Sequence, residues 1–168
     1  VCSLWVTGDF HKSWASVSAY DDKKPVLGYY DEGIIETADW EIKFLLEHGV
    51  DFQMFCWYPN TTSAPLKPSH ANHLHDAFMN AKYSDMTKFA IIWEASGTNP
   101  ANVANFKSFY APYIVENYFK DDRYMTIENK VVMNIFSVET LIKSVGGKEK
   151  FNECMDYLEA EAIKLGYD

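Results

Sequence analysis

The sequence predicts an α/β fold built on a parallel sheet, and two observations carry that prediction. Apolar runs at residues 50–58, 88–94 and 131–136 have the length and the branched or aromatic content of buried strands. Between them lie segments whose apolar residues recur at helical spacing. With a first strand at 1–7 the order is β-α-β-α-β-α-β-α. Repeated βα units imply a parallel sheet with right-handed crossovers.

Residues 1–7 alternate as a strand, and the polar loop 8–12 follows. Residues 14–24 have no clear period, 21–25 form a turn, and 26–30 are a short extended piece. Ala38, Ile42, Leu45 and Leu46 give one apolar helical face, closed by Gly49. The run 50–58 ends on Trp57, Tyr58 and Pro59 and opens into a wide loop at 60–67. Ser69 after Pro68 starts a helix with the stripe Leu74, Ala77, Phe78 and Ala81. The strand 88–94 ends on the carboxylate Glu94. Asn99-Pro100 is an N-cap followed by proline at the first helical position. Val103, Phe106, Tyr110 and Ile114 carry that helix on, with a kink or break expected at Pro112. Residues 121–130 form a turn or hairpin before the strand 131–136. A short helix runs from Ser137 to Gly146-Gly147, and Phe151, Met155, Leu158, Ala162 and Leu165 make a last stripe before Gly166.

Four βα units fit half of an eight-fold barrel or a small open sheet. Gly166-Tyr167-Asp168 repeats the approach to the second strand, His48-Gly49-Val50-Asp51. A fifth strand is therefore expected to follow. The expectation is the N-terminal half of a TIM-type (β/α)8 barrel over residues 1–168, with the polypeptide continuing beyond. Half a barrel leaves strand edges at 1–7 and 131–136, so self-association or pairing with the missing half is expected.

The composition narrows the partners. The charge is 15 − 24 = −9 with no basic run, which argues against nucleic acid and anionic membrane. No apolar stretch approaches the ~20 residues of a membrane helix. The chain starts at Val1 inside an apolar run, so it reads as processed, trimmed or internal to a longer one. Cys2, Cys56 and Cys154 make no CxxC and no disulfide framework. Nothing calls for a cofactor. His70, His73 and His75 with Asp76 do not have HExxH spacing, and only His70 and His73 share a helical face. They read as the polar first turn of a helix, and no metal is expected. Asn60-Thr-Thr62 fits the glycosylation sequon.

A set of motifs carries a family resemblance. Leu27-Gly-Tyr-Tyr-Asp31, Trp40, Glu47-His-Gly-Val-Asp-Phe52, Cys56-Trp-Tyr-Pro59, Lys88-Phe-Ala-Ile-Ile-Trp-Glu94 and Tyr118-Phe-Lys-Asp-Asp-Arg-Tyr124 occur in order. Together they resemble the glycoside hydrolase family 99-like proteins, including the WbsX-like group sometimes labelled glycosyltransferases. The resemblance covers nearly the whole chain. It implies a (β/α)8 barrel and an endo-acting, retaining α-mannosidase or mannanase of oligo- or polysaccharide. It also implies a periplasmic, cell-surface or secreted location. The family's paired glutamates lie in a Trp-Asn-Glu-Trp segment near the end of the barrel, and this chain has no such segment. The resemblance therefore implies an N-terminal half without the catalytic pair.

Candidate site residues follow from strand ends, where ligands of α/β proteins sit. The family's third strand ends in a substrate-contacting glutamate, and Glu94 matches it, although Ala95-Ser-Gly97 departs from the usual Pro-Tyr. Glu94 is thus both a substrate-binding and a catalytic candidate. Trp57 and Tyr58 point to opposite faces of their strand, so one caps the core while the other platforms a sugar. The resemblance favours Trp57 for ligand contact; Trp93, inside the strand 88–94, reads as core. Asp9, His11 and Asp31 are further substrate-binding candidates, and Asp31-Glu32-Gly33 also reads as a turn before a helix. Two rival readings are a non-catalytic glycan-binding or structural half-barrel and a sugar transferase of the WbsX type.

Overall fold

A computed structural model describes the backbone of residues 2–3 and, in full, residues 17–60, 62, 65–66, 68–69 and 71–168. Four strands lie parallel in chain order: β1 (Cys2–Ser3), β2 (Phe52–Pro59), β4 (Lys88–Trp93) and β7 (Met133–Ile135). Cys2 pairs with Met54, Trp57 with Trp93, and Trp93 with Ile135. A short strand β3 (Pro68–Ser69) runs antiparallel to the end of β2. The fold is therefore mixed α/β on a mostly parallel sheet.

The helices are α1 (Ile35–Glu47), α2 (73–80), α3 (103–119), α4 (Val138–Val145) and α5 (Lys148–Lys164). Burial along β2 alternates strictly. Phe55 and Trp57 join Phe89, Ile91 and Trp93 of β4 in a buried layer that meets α2 and α3. This layer is aromatic. The Trp57 and Trp93 rings meet edge to face at 5.0 Å, and Tyr110 stacks on Trp93 at 5.5 Å. On the other face Met54, Cys56, Tyr58, Ile92 and Glu94 are half-buried, and Phe136 is exposed. Among the described residues no helix is long and apolar enough to cross a membrane.

Several local expectations change. The strand 131–136 is two pieces. Lys130–Val131 (β6) folds back on Thr126–Ile127 (β5), and the main sheet resumes only at Met133. Glu128 and Asn129 both take positive φ, 49° and 62°, as a two-residue hairpin turn requires. Ser69 starts no helix. β2 outruns its pairing with β4, and Pro68–Ser69 supplies partners for Tyr58 and Pro59 instead. Residues 26–30 form no strand: Val26 and Leu27 make a turn, closed by the Gly28 N–H on the Pro25 carbonyl at 2.9 Å. Pro112 does not break its helix. The preceding turn, Phe106–Tyr110, widens to i→i+5 spacing and gives the ring room. Residues 4–16, most of the predicted first strand and its loop, lie outside the described residues.

The Asp121-Asp-Arg-Tyr124 motif is a structural lock. The Arg123 guanidinium grips Asp121 at 2.6 and 2.9 Å and reaches the Met79 carbonyl at 3.1 Å and Ser84 Oγ at 2.7 Å. It ties the turn after α3 to the end of α2. Burial alone would raise the Asp121 carboxyl, but the guanidinium's hydrogen bonds and charge outweigh it and hold the group below the usual carboxylate range.

Candidate functional site

The parallel register sets the site. Because Trp57 pairs with Trp93, the next residues along each chain, Tyr58 and Glu94, lie side by side at the carboxyl end of the sheet. The Glu94 N–H donates to the Trp57 carbonyl at 3.1 Å, so the pairing continues one step past β4. Tyr58 and Glu94 line one cleft of about 170 Å³ with Pro59, Asn60, Ser69, Ala95, Gly97 and Thr98. β3 forms part of its wall, and Ser69 Oγ donates to the Tyr58 carbonyl at 3.4 Å.

Glu94 is held by the loop that follows it. Its carboxylate accepts the Ser96 N–H at 3.1 Å and the Ser96 hydroxyl. Ala95 turns the chain with φ of 25°, a conformation that disfavours any residue with a Cβ. Asn99 Nδ2 fixes that turn by donating to the Ala95 and Gly97 carbonyls at 2.7 and 3.3 Å. A carboxylate held this way can accept hydroxyl groups in a defined direction.

The other candidates lie elsewhere. Trp57 is corrected from sugar platform to core: it is 1% exposed and boxed by Trp93, Tyr110, Tyr113 and Tyr118. The parity of β2 turns it toward the helices and leaves Tyr58 at the cleft. Asp31 accepts the Gly33 N–H at 2.8 Å in the turn before α1 and is not among the residues lining the cleft. Asp9, His11 and His70 lie outside the described residues.

Sequence reasoning missed one polar cluster. His73 of α2 is buried, with Nε2 2.7 Å from Glu41 Oε2 and Nδ1 3.7 Å from Glu32 Oε2. Burial, then Glu41, then Glu32 raise the Tyr30 phenol beside them. An imidazole between two carboxylates joins α1 to α2, and Phe55 meets the imidazole edge-on at 5.0 Å. His75 serves a different partner, Tyr118, at 3.1 Å, and burial lowers its pKa. The cluster joins residues far apart in sequence, so no local spacing announces it.

No family model, no curated protein and no solved structure matches the chain significantly.

Proposed function

We propose that the chain binds saccharide as the N-terminal half of a (β/α)8-type barrel in a family 99-like carbohydrate-active protein. The activity proposed is that of a glycoside hydrolase of the retaining, endo-α-mannosidase kind, acting on oligo- or polysaccharide. One observation carries this reading: Tyr58 and Glu94 stand together in a cleft at the carboxyl ends of adjacent parallel strands. Ligands of such sheets bind there. The cleft is smaller than the ~300–1,000 Å³ of drug-sized ligand sites, so it suits a single sugar ring. Tyr58 brings an aromatic side chain to the cleft wall, and Glu94 accepts hydroxyls through charge-assisted hydrogen bonds. Asn60, Ser69 and Thr98 add neutral donors and acceptors. Strands paired in chain order, with helices on their aromatic face, support the barrel-half reading. Such a half has free edges, for which a second copy or a complementary half is the proposed partner.

A second reading has its own support. Glu94 is the one carboxylate lining the cleft among the described residues, and retaining hydrolysis commonly uses two carboxyl groups ~5 Å apart. A non-catalytic glycan-binding role fits that count. Calorimetric titration of the chain, Tyr58→Ala and Glu94→Gln with α-manno-oligosaccharides tests both readings, alongside product analysis. Binding lost in both variants supports the cleft. Binding without product favours the second reading, and transfer that requires a nucleotide sugar would replace hydrolysis by the transferase. Absence of any binding would sink the proposal.

A further inference from the structure

Away from the cleft, α1 presents a second surface of different design. Thr37, Ala38 and Ile42 bury one side of this helix. Glu36, Asp39, Trp40 and Lys43 share the other at helical spacing. With Tyr83, from the turn after α2, they line a groove of about 360 Å³. Trp40 is 49% exposed and Tyr83 is 38% exposed. The Tyr83 N–H donates to Asp39 Oδ1 at 3.1 Å, which fixes the turn that carries one ring against the helix that carries the other.

The charges around the two rings decide what the groove takes. The Glu36 carboxylate makes no hydrogen bond or ion pair among the described residues. Lys43 sits 5.7 Å over the Trp40 ring, with its ammonium paired to Glu47 at 2.6 Å. Lys82 lies 5.1 Å over the Tyr83 ring. A cation arriving at either ring would meet an ammonium already there. A neutral polyhydroxylated ring would find apolar plates for its C–H faces, carboxylates to accept its hydroxyls and ammonium groups to donate to its oxygens.

We infer that Trp40, Tyr83, Glu36 and Asp39 form a second saccharide-binding site that holds a pyranose unit at a distance from the Tyr58–Glu94 cleft. The ligand class rests on the saccharide reading of that cleft; the groove and its chemistry do not.

The test follows the indole N–H signal of Trp40 by NMR, assigned with Trp40→Phe, while an α-manno-oligosaccharide is titrated into the full chain. Tetramethylammonium is titrated in parallel. The expected result is a saturable shift of Trp40 with the saccharide. Glu36→Gln should weaken it about tenfold or more, as loss of a charged hydrogen-bond acceptor implies, and Glu94→Gln should leave it unchanged. A Trp40 shift with no effect of Glu94→Gln on total stoichiometry would leave this site standing and remove the cleft. Saccharide binding that is lost in Glu94→Gln and never moves Trp40 would overturn this site and leave the cleft. A response to tetramethylammonium alone, or to neither ligand, would also overturn it.

Discussion

Replacing Trp57 with alanine is expected to weaken the fold, with any loss of ligand following from that. The indole is 1% exposed, with ring centroids of Trp93, Tyr113, Tyr110 and Tyr118 at 5.0, 6.0, 6.3 and 6.4 Å. Truncating a buried aromatic costs about 3–5 kcal/mol, because the transfer free energy is lost and the cavity collapses only partly. Here the neighbours are themselves large rings pinned by further contacts, so collapse is poor and the upper part of that range applies. For a chain of this size each kcal/mol lowers Tm by about 2–4 °C, so the drop should be about 10–20 °C. Trp57→Phe keeps a ring in the stack and should lose much less. Urea unfolding followed by far-UV circular dichroism and a thermal melt on both variants provides the measurement. A stability within about 0.5 kcal/mol of the parent, the range of an ordinary surface change, would refute the packing argument. If saccharide binding vanished in that same stable variant, Trp57 would return to the site.

Arg123→Ala should destabilise by about 1.5–3 kcal/mol, the worth of hydrogen bonds to a charged group. Hydrogen exchange should rise at Met79–Ser84, where the guanidinium holds backbone and side chain, and unchanged exchange there would remove the lock. Burial lifts the Tyr110 phenol to about 12 and also raises Tyr118 and Tyr124. Tyrosine ionises near pH ~10 in the unfolded chain, so stability is full below that value and falls as pH climbs toward the folded-state values. Urea midpoints across that window should decline, and less steeply in Tyr110→Phe; an equal slope in the variant would contradict the assignment. Sedimentation should find more than a monomer, because β7 ends the sheet order with no further strand beside it among the described residues. A monodisperse monomer at high concentration would count against edge pairing.

The parallel sheet was legible because its strands are short apolar runs set between amphipathic stripes, and both signals are local. The turn or hairpin expected at 121–130 was legible from its polar, turn-forming residues, although the hairpin itself pairs Thr126–Ile127 with Lys130–Val131 and so takes its last residue from the expected strand. Which face each strand residue takes was not, since period two fixes only alternation. Alternation put Trp57 and Tyr58 on opposite faces without saying which faced the core, and the register places Trp57 beside the buried Trp93. A partial clue was present: each strand ends with a tryptophan followed by a more polar residue, Tyr58 or Glu94. Equivalent parity would have put both tryptophans on one face and both polar residues on the other. β3 and the break at Val132 left no such mark, because both answer non-local needs. Pro68–Ser69 satisfies backbone groups that β2 exposes beyond β4. The Val132 N–H turns to the Met125 carbonyl at 3.0 Å. The Glu32–His73–Glu41 cluster likewise exists only once α1 and α2 are side by side.

The loop after β4 explains why a glutamate at a strand end becomes a directed group. Ala95 is nearly fully buried and carries a φ of 25°. For a residue with a Cβ that conformation costs about 1–2 kcal/mol, and it persists only where neighbours over-determine it. Here they do: Asn99 grips the Ala95 carbonyl, and Ser96 turns its N–H and hydroxyl onto the Glu94 carboxylate. A regular extended continuation of β4 would carry Ser96 onward along the strand, away from that carboxylate. The turn brings its donors back. Strain in the backbone and order in the side chain are therefore one feature, and the aromatic layer beneath it, anchored by Trp93, gives the turn a rigid base.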